Sequence, residues 1–411
     1  MKKAYGKNAL VGQSGGPTAA INASLAGVIS EWLERQSGTL YGMANGITGI
    51  LDERLYDLNA LFGGKKEDLD LLKLTPAAAL GSCRKKLPAL GTDDKFYENL
   101  FCLFEKYEIG YFFYIGGNDS MDTVAKLSAY ADEKDIDVKF VGIPKTVDND
   151  LCGTDHTPGF GSAAKYVASV CAETKRDTAV YTQKAVTVIE IMGRDAGWLT
   201  ASASLAKTKY TSGPDLIYLP EVPFSFEQCF TDIENCWKNA PDVLIAVSEG
   251  IRYADGSYVS ADPTKLDTFG HAMLCGAANT VKNKVEEHFG CKVRSIELNT
   301  PQRAAGHSLS LTDITESFNV GAFGVREALA GKTGIMAATV RVSDTPYTAE
   351  NASFPVSEIA NQVKDVPREY INAEGNGITE AGLTYLRPLI LGECALPYSD
   401  GVPMHYIFEK I

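Results

Sequence analysis

Positive charge is in short supply in this chain: 39 lysines and arginines against 52 aspartates and glutamates leave a formal charge of −13 over 411 residues. Nucleic-acid and anionic-membrane surfaces work through a positive field that releases counterions, so the balance excludes a broad surface of either kind. An anionic substrate would need a locally basic site. Long apolar runs are also missing. No stretch approaches the ~18 residues of a membrane span, and the amino-terminal "MKKAYGKNALVGQ" has no uninterrupted apolar segment of the sort export signals carry. Nine cysteines, at 83, 102, 152, 171, 229, 236, 275, 291 and 394, include no Cys-x-x-Cys pair and no regular framework. They read as small buried hydrophobes in a reducing compartment, which predicts a cytoplasmic protein. Internal repeats, low-complexity tracts and long Pro/Ser linkers are absent as well, so domain boundaries are poorly marked.

What is present is ordinary globular material, 45% hydrophobic and 22% charged, long enough for two large α/β domains. The plan strand, glycine-containing loop, helix recurs along the chain. "NALVG" leads through "QSGGPT" to "AAINASLAGVISEWLER", and "YFFYIGG" leads to "SMDTVAKLSAYADEK". "VKFVGIP", "AVTVIEIMGRDAG", "DVLIAVSEG" and "KVRSIELNTPQRAAG" are further strands that end in polar residues, and "GSAAKYVASVCAET" is a helix. Continuous apolar strands alternating with helices predict parallel sheets covered on both faces. In such sheets ligands gather beyond the carboxyl ends of the strands, where all these polar loops lie.

Several loops carry groups suited to phosphoryl chemistry. Gly15 and Gly16 precede a helix whose free amides favour an anion, although a glycine pair there is also a plain tight turn. Asn118 and Asp119 follow Gly116-Gly117 and offer metal or charge; helix capping by Asp119 or Ser120 is the plain alternative. In "PKTVDND", Asp148 and Asp150 stand two apart, just after Lys145 and Thr146. One carboxylate can take a hydroxyl proton, the other can position Mg²⁺, and lysine can neutralise a migrating phosphoryl group. A solvated lysine beside an Asx turn is the competing reading. Arg194 presents a planar guanidinium suited to phosphoryl oxygens, unless it merely pairs with Asp195. Met192 can pack on a sugar face, Glu249 can accept hydroxyl hydrogen bonds, and Arg294 and Arg303 suit an anionic group.

In order, "SGGPT", "GGNDS", "PKTVDND", "MGRDAGW", "SEG" and "NTPQR" resemble the phosphofructokinase family from about residue 8 to 330. The resemblance implies two Rossmann-like three-layer domains with mostly parallel sheets and the active site in the cleft between them. The expected division is 1–160 plus 304–365 for the donor domain and 161–303 plus 366–411 for the sugar-phosphate domain. It implies Mg²⁺-dependent, reversible phosphoryl transfer to the 1-hydroxyl of fructose 6-phosphate by a homodimer or homotetramer. Asp148 would be the general base, with Thr146 and Asp150 beside the phosphoryl group and its metal, and Arg194 stabilising transition-state charge. Met192, Gly193, Glu249 and Thr300 would hold the sugar, Arg303 its 6-phosphate, and Arg294 the same phosphate in a neighbouring subunit. Gly15, Gly16 and Lys145 would bind the donor.

ATP-using members resemble "GGDGS" and "PGTIDND", with glycine where this chain has Asp119 and Lys145; the pyrophosphate-using branch carries Asp and Lys there. The resemblance therefore implies pyrophosphate as donor, with an ATP-dependent enzyme, a non-catalytic sugar-phosphate-binding regulatory subunit and a kinase for another sugar or nucleoside as rivals. Three departures stand out: Asn118 replaces a metal-binding Asp of many members, Thr300 replaces their His or Tyr, and Ala185, next to Lys184, replaces an arginine. In the segment after about 365, Tyr370 and Asn372 could close the sugar site, but a surface appendage or a subunit contact reads equally well, and no site is assigned there.

Overall fold

A computed structural model describes residues 2–35, 38–266, 272–274, 276–360 and 362–411. The first sheet begins with β1 (Asn8–Gln13), β2 (Leu40–Met43), β3 (Leu55–Asp57), β4 (Ile109–Gly116) and β5 (Lys139–Pro144). The chain then crosses to a second sheet of β6 (Ala185–Ile191), β7 (Leu216–Tyr218), β8 (Asp242–Ser248) and β9 (Lys292–Glu297). It returns to complete the first with β10 (Ile335–Asp344) and β11 (Tyr347–Pro355). The order of the first sheet is β11-β10-β5-β4-β1-β2-β3, antiparallel only at its two edge pairs, and that of the second is β9-β6-β8-β7, wholly parallel.

The apolar runs explain this placement. Strand β4 lies between two others, and Phe112, Phe113 and Ile115 in it are fully buried. Each such side chain contributes roughly 1.5–3 kcal/mol of burial. On one face Phe112 meets Phe104 and Phe140 with ring centroids 5.8 and 5.7 Å away. On the other, helix α1 (Ile21–Arg35) packs beside α5 (Leu311–Leu329); a Cβ added to Gly27 would lie 2.0 Å from the Phe318 carbonyl, so the two backbones touch. Between them in sequence, α2 (Asn118–Glu133) follows β4, α3 (Phe160–Thr178) opens the second half, and α4 (Ala277–Phe289) precedes β9.

The end of the chain contributes to both halves. Ile371, Tyr385, Leu386 and Leu389 join the core of the second sheet. Tyr406 and Phe408 return to the first half, their rings tilted and edge-on to Phe62 with centroids 5.0 and 5.9 Å away, and Tyr406 N–H donates to Thr75 Oγ1 at 2.8 Å. Two aromatic rings at the chain end fill an apolar gap that the flanks of β2 and β3 leave open. Among the described residues the cysteines are free, and no helix is long and apolar enough to cross a membrane.

Candidate active site

Strand register brings the polar loops together. Gln13 stands opposite Ile115 and Gly116 opposite Pro144, so the loops after β1, β4 and β5 leave the first sheet side by side. In the second sheet Ile191 faces Ser248, which levels Met192–Asp195 with Glu249. A cavity of about 570 Å³ opens between the two sets of strand ends. Gly15, Gly16, Asn118, Asp119, Lys145, Thr146, Asp148, Asp150, Met192, Arg194, Glu249 and Arg303 line it.

The loop after β5 is folded by its middle asparagine. Asn149 takes a left-handed conformation (φ 54°), open at low cost to Asn, and is wholly buried. Its amide donates to Tyr385 Oη at 3.0 Å and accepts from Thr157 N–H at 3.1 Å. With Asn149 turned inward, Asp148 and Asp150 both reach the cavity wall, which explains the alternation in "DND". Thr146 Oγ1 accepts from Asp148 N–H at 3.1 Å and lies 3.4 Å from Oδ2 of the same residue. Burial raises the pKa of both aspartates, and the charge of Asp148 adds to the rise at Asp150. Glu249 is pushed up to about 7 by burial and then by Asp148.

Lys145 is not the solvated lysine of the plain reading. Only 2% exposed, it donates from Nζ to Gly16 O at 2.6 Å. Burial lowers its pKa to about 8, with Asp148 opposing and Arg303 adding to the fall. The backbone beneath is equally specific. Gly15 has φ +77°, and a Cβ on Gly193 (φ +134°) would lie 2.5 Å from Ala196 O, so a larger residue at 193 would break the turn. Gly193 N–H donates to Glu249 Oε1 at 3.3 Å, placing it under the cavity rather than on its wall.

Helix α2 starts at Asn118 behind Gly117, and no side chain caps it, so Asp119 is left at the mouth of the cavity. Its carboxylate is 56% exposed and pairs with Lys86 at 3.1 Å. Asn118 donates from Nδ2 to Gln362 O at 3.1 Å, while its buried Oδ1 has no hydrogen-bond partner in the protein. A buried acceptor left open in the cavity that Asp150 also lines fits a hard cation. Among the described residues no cluster of three or more His, Cys, Asp or Glu forms a metal cage, so such an ion would complete its shell from ligand oxygens and water. Arg303 has its Nε buried and unpartnered, a donor suited to an anion. Asp195 pairs with Arg252 at 2.7 Å.

Two predicted residues lie elsewhere. Arg294, on edge strand β9, is 42% exposed with Asp177 at 4.0 Å, and Thr300 is exposed at the start of the short helix Pro301–Ala304. Neither lines the cavity. Conversely, Arg84, Lys85 and Lys86 line it without having been singled out. Their signal was available: three consecutive basic residues in an acidic chain, "GSCRKK", supply the locally basic site that an anionic substrate needs.

The phosphofructokinase family model matches residues 8–326. A protein of Methylococcus capsulatus named pyrophosphate–fructose 6-phosphate 1-phosphotransferase is 42% identical over 97% of this chain and 94% of its own length. Two crystal structures of proteins described as pyrophosphate-dependent phosphofructokinases superpose on the fold. That from Marinobacter aquaeolei has a TM-score of 0.86 at 38% identity, covering 98% of both chains. That from Nitrosospira multiformis has 0.88 at 37%, covering 98% of this chain and 97% of that one.

Proposed function

The chain belongs to the phosphofructokinase family, and we propose that it transfers a phosphoryl group reversibly from pyrophosphate to the 1-hydroxyl of fructose 6-phosphate, giving fructose 1,6-bisphosphate and phosphate. The observation that carries the choice of donor is Lys145, buried against the Gly16 carbonyl where ATP-using relatives have glycine, with Asp119 at the mouth. In this reading Gly15, Gly16 and Lys145 hold pyrophosphate, and Asp148 takes the proton of the 1-hydroxyl as the oxygen attacks. Arg194 and Lys145 stabilise charge on the phosphoryl group in flight. Met192 and Glu249 hold the sugar, with Gly193 steadying the Glu249 carboxylate from beneath, and Arg303 holds its 6-phosphate.

Asp150 and Asn118 Oδ1 would hold Mg²⁺. When bound, Mg²⁺ neutralises phosphate charge and orients the donor. Arg294, on an exposed edge strand, would serve the acceptor site of a neighbouring subunit, so the enzyme is proposed to be a homodimer or homotetramer working in the cytoplasm. Reversibility follows from chemistry, since pyrophosphate and the sugar bisphosphate are less unequal donors than ATP and that bisphosphate.

A coupled assay with Mg²⁺ and fructose 6-phosphate, run with pyrophosphate and with ATP at equal concentration, tests the reading directly. Turnover with pyrophosphate and little with ATP is expected. Preference for ATP overturns the choice of donor, and inactivity with both overturns the reaction.

Binding of pyrophosphate should also weaken in alkali. With the ammonium of Lys145 lowered to about 8, the free enzyme carries that charge below this pH and loses it above. The dissociation constant of Mg-pyrophosphate is therefore expected to rise toward about tenfold per pH unit beyond pH 8. Calorimetry from pH 6.5 to 9.5 on wild type and Lys145→Met checks this; a slope retained in the variant removes Lys145 as its source.

A further inference from the structure

Residues 362–366 run from the last strand of the first sheet to the core of the second, and their contacts converge on the catalytic loop. Gln362 O receives the Asn118 amide, Val363 pairs with Leu151, and Val366 N–H donates to Glu221 Oε1 at 3.0 Å. The same carboxylate oxygen accepts from Gly197 N–H at 2.8 Å, next to Trp198. At the centre lies Lys364. Its backbone N–H donates to Asp150 O at 2.8 Å and its carbonyl accepts from Trp198 Nε1 at 2.7 Å. Its side chain is partly exposed but its ammonium is enclosed, donating to Asp155 O at 2.7 Å and Thr154 O at 3.2 Å, with Asn149 Oδ1 at 3.4 Å. The Trp198 ring lies 5.1 Å away on the other side.

These three oxygens are not carboxylates: they belong to two carbonyls and one amide, distributed over residues 149–155. The three acceptors match the three N–H groups of the ammonium, and the charges of Asp155 and Asp150 offset part of the cost of enclosing it. Through its main chain and side chain together, Lys364 grips both ends of the segment whose start presents Asp148 and Asp150, and presses it toward Trp198 of the second half.

We propose that Lys364 is a positioning residue for phosphoryl transfer, which holds the 148–155 loop in register with the second half so that the base and the metal-side carboxylate keep their places. It rests on the phosphoryl-transfer reading and adds to it a residue that touches neither substrate. Positioning acts on the chemical step more than on binding, because misplacing a reacting group by about 1 Å costs on the order of 100-fold.

The test compares Lys364→Met and Lys364→Arg with the wild-type full chain under Mg²⁺, pyrophosphate and fructose 6-phosphate. In Lys364→Met, kcat is expected to fall about 10- to 100-fold while both KM values hold within about threefold, and Lys364→Arg should recover part of the loss. Hydrogen exchange of amides 148–157 should rise in Lys364→Met while β6 and α3 keep their protection. Exchange reads the clamp without turnover, so an inactive wild type, which would sink the functional reading, leaves this arm decisive. A kcat within twofold of wild type, unaltered exchange at 148–157, or accelerated exchange across both sheets each overturns the proposal. If Lys364→Met does not accumulate folded, Lys364→Gln is measured by the same criteria.

Discussion

Replacing Asp148 by alanine is expected to lower kcat with pyrophosphate and fructose 6-phosphate by about 100- to 10,000-fold, the range for loss of a positioned general base. Asp148 is the carboxylate at the cavity wall whose pKa burial raises, beside Lys145, Thr146 and Glu249. A raised value suits a group that must take a proton from a hydroxyl and return it in the reverse direction. Binding of fructose 6-phosphate should survive, because Arg303 and Glu249 are untouched. Burst kinetics and equilibrium binding together separate the two effects. Turnover near that of wild type removes the base role, and loss of binding in proportion to loss of rate assigns Asp148 to the sugar instead.

The second large effect concerns the donor. In Asp119→Gly combined with Lys145→Gly, kcat/KM for pyrophosphate is expected to fall about 100-fold, since a buried charge-assisted contact is worth roughly 1.5–3 kcal/mol and each 1.4 kcal/mol is tenfold. The gain in ATP use should be smaller, about fivefold. Two unit charges 4 Å apart interact by roughly 4 kcal/mol at an effective dielectric near 20. Asp119, however, is 56% exposed and already paired with Lys86, so solvent and the partner reduce its repulsion toward a nucleotide to about 1 kcal/mol. Lys145 therefore carries more of the choice than Asp119. The two single variants test the ranking: a larger loss of pyrophosphate use from Asp119→Gly than from Lys145→Gly reverses it.

Much of this was legible because it is local. Runs such as "YFFYIGG" are apolar without alternation, as strands buried on both faces must be, and their polar ends point to the cavity by topology alone. "PKTVDND" is read from seven neighbours, and its fold follows from Asn149 turning inward. What sequence reading missed is non-local. Lys364 meets Asn149 across 215 positions and had no periodicity or motif to mark it. Arg84 to Lys86 stand in a loop whose closeness to Asp119 arises only when β1 and β4 pair. Arg294 and Thr300 were assigned by resemblance, and a single chain leaves both outside its own cavity. Tyr406 and Phe408 escaped assignment because nothing near them in sequence tells which half owns the gap they fill.

The late return of β10 and β11 to the first sheet has a consequence for how the protein is made. Strand β5 ends at Pro144, yet the neighbour that covers its outer edge runs only from Ile335, and the sheet closes at Pro355. At about 5–20 residues per second, the roughly 200 residues between leave that edge open on the ribosome for about 10–40 s. The second sheet, drawn from one continuous span, can pair fully in the meantime. The nascent chain thus completes its second sheet before its first, and the exposed edge of β5 is the place where a holdase would protect it from pairing with another copy.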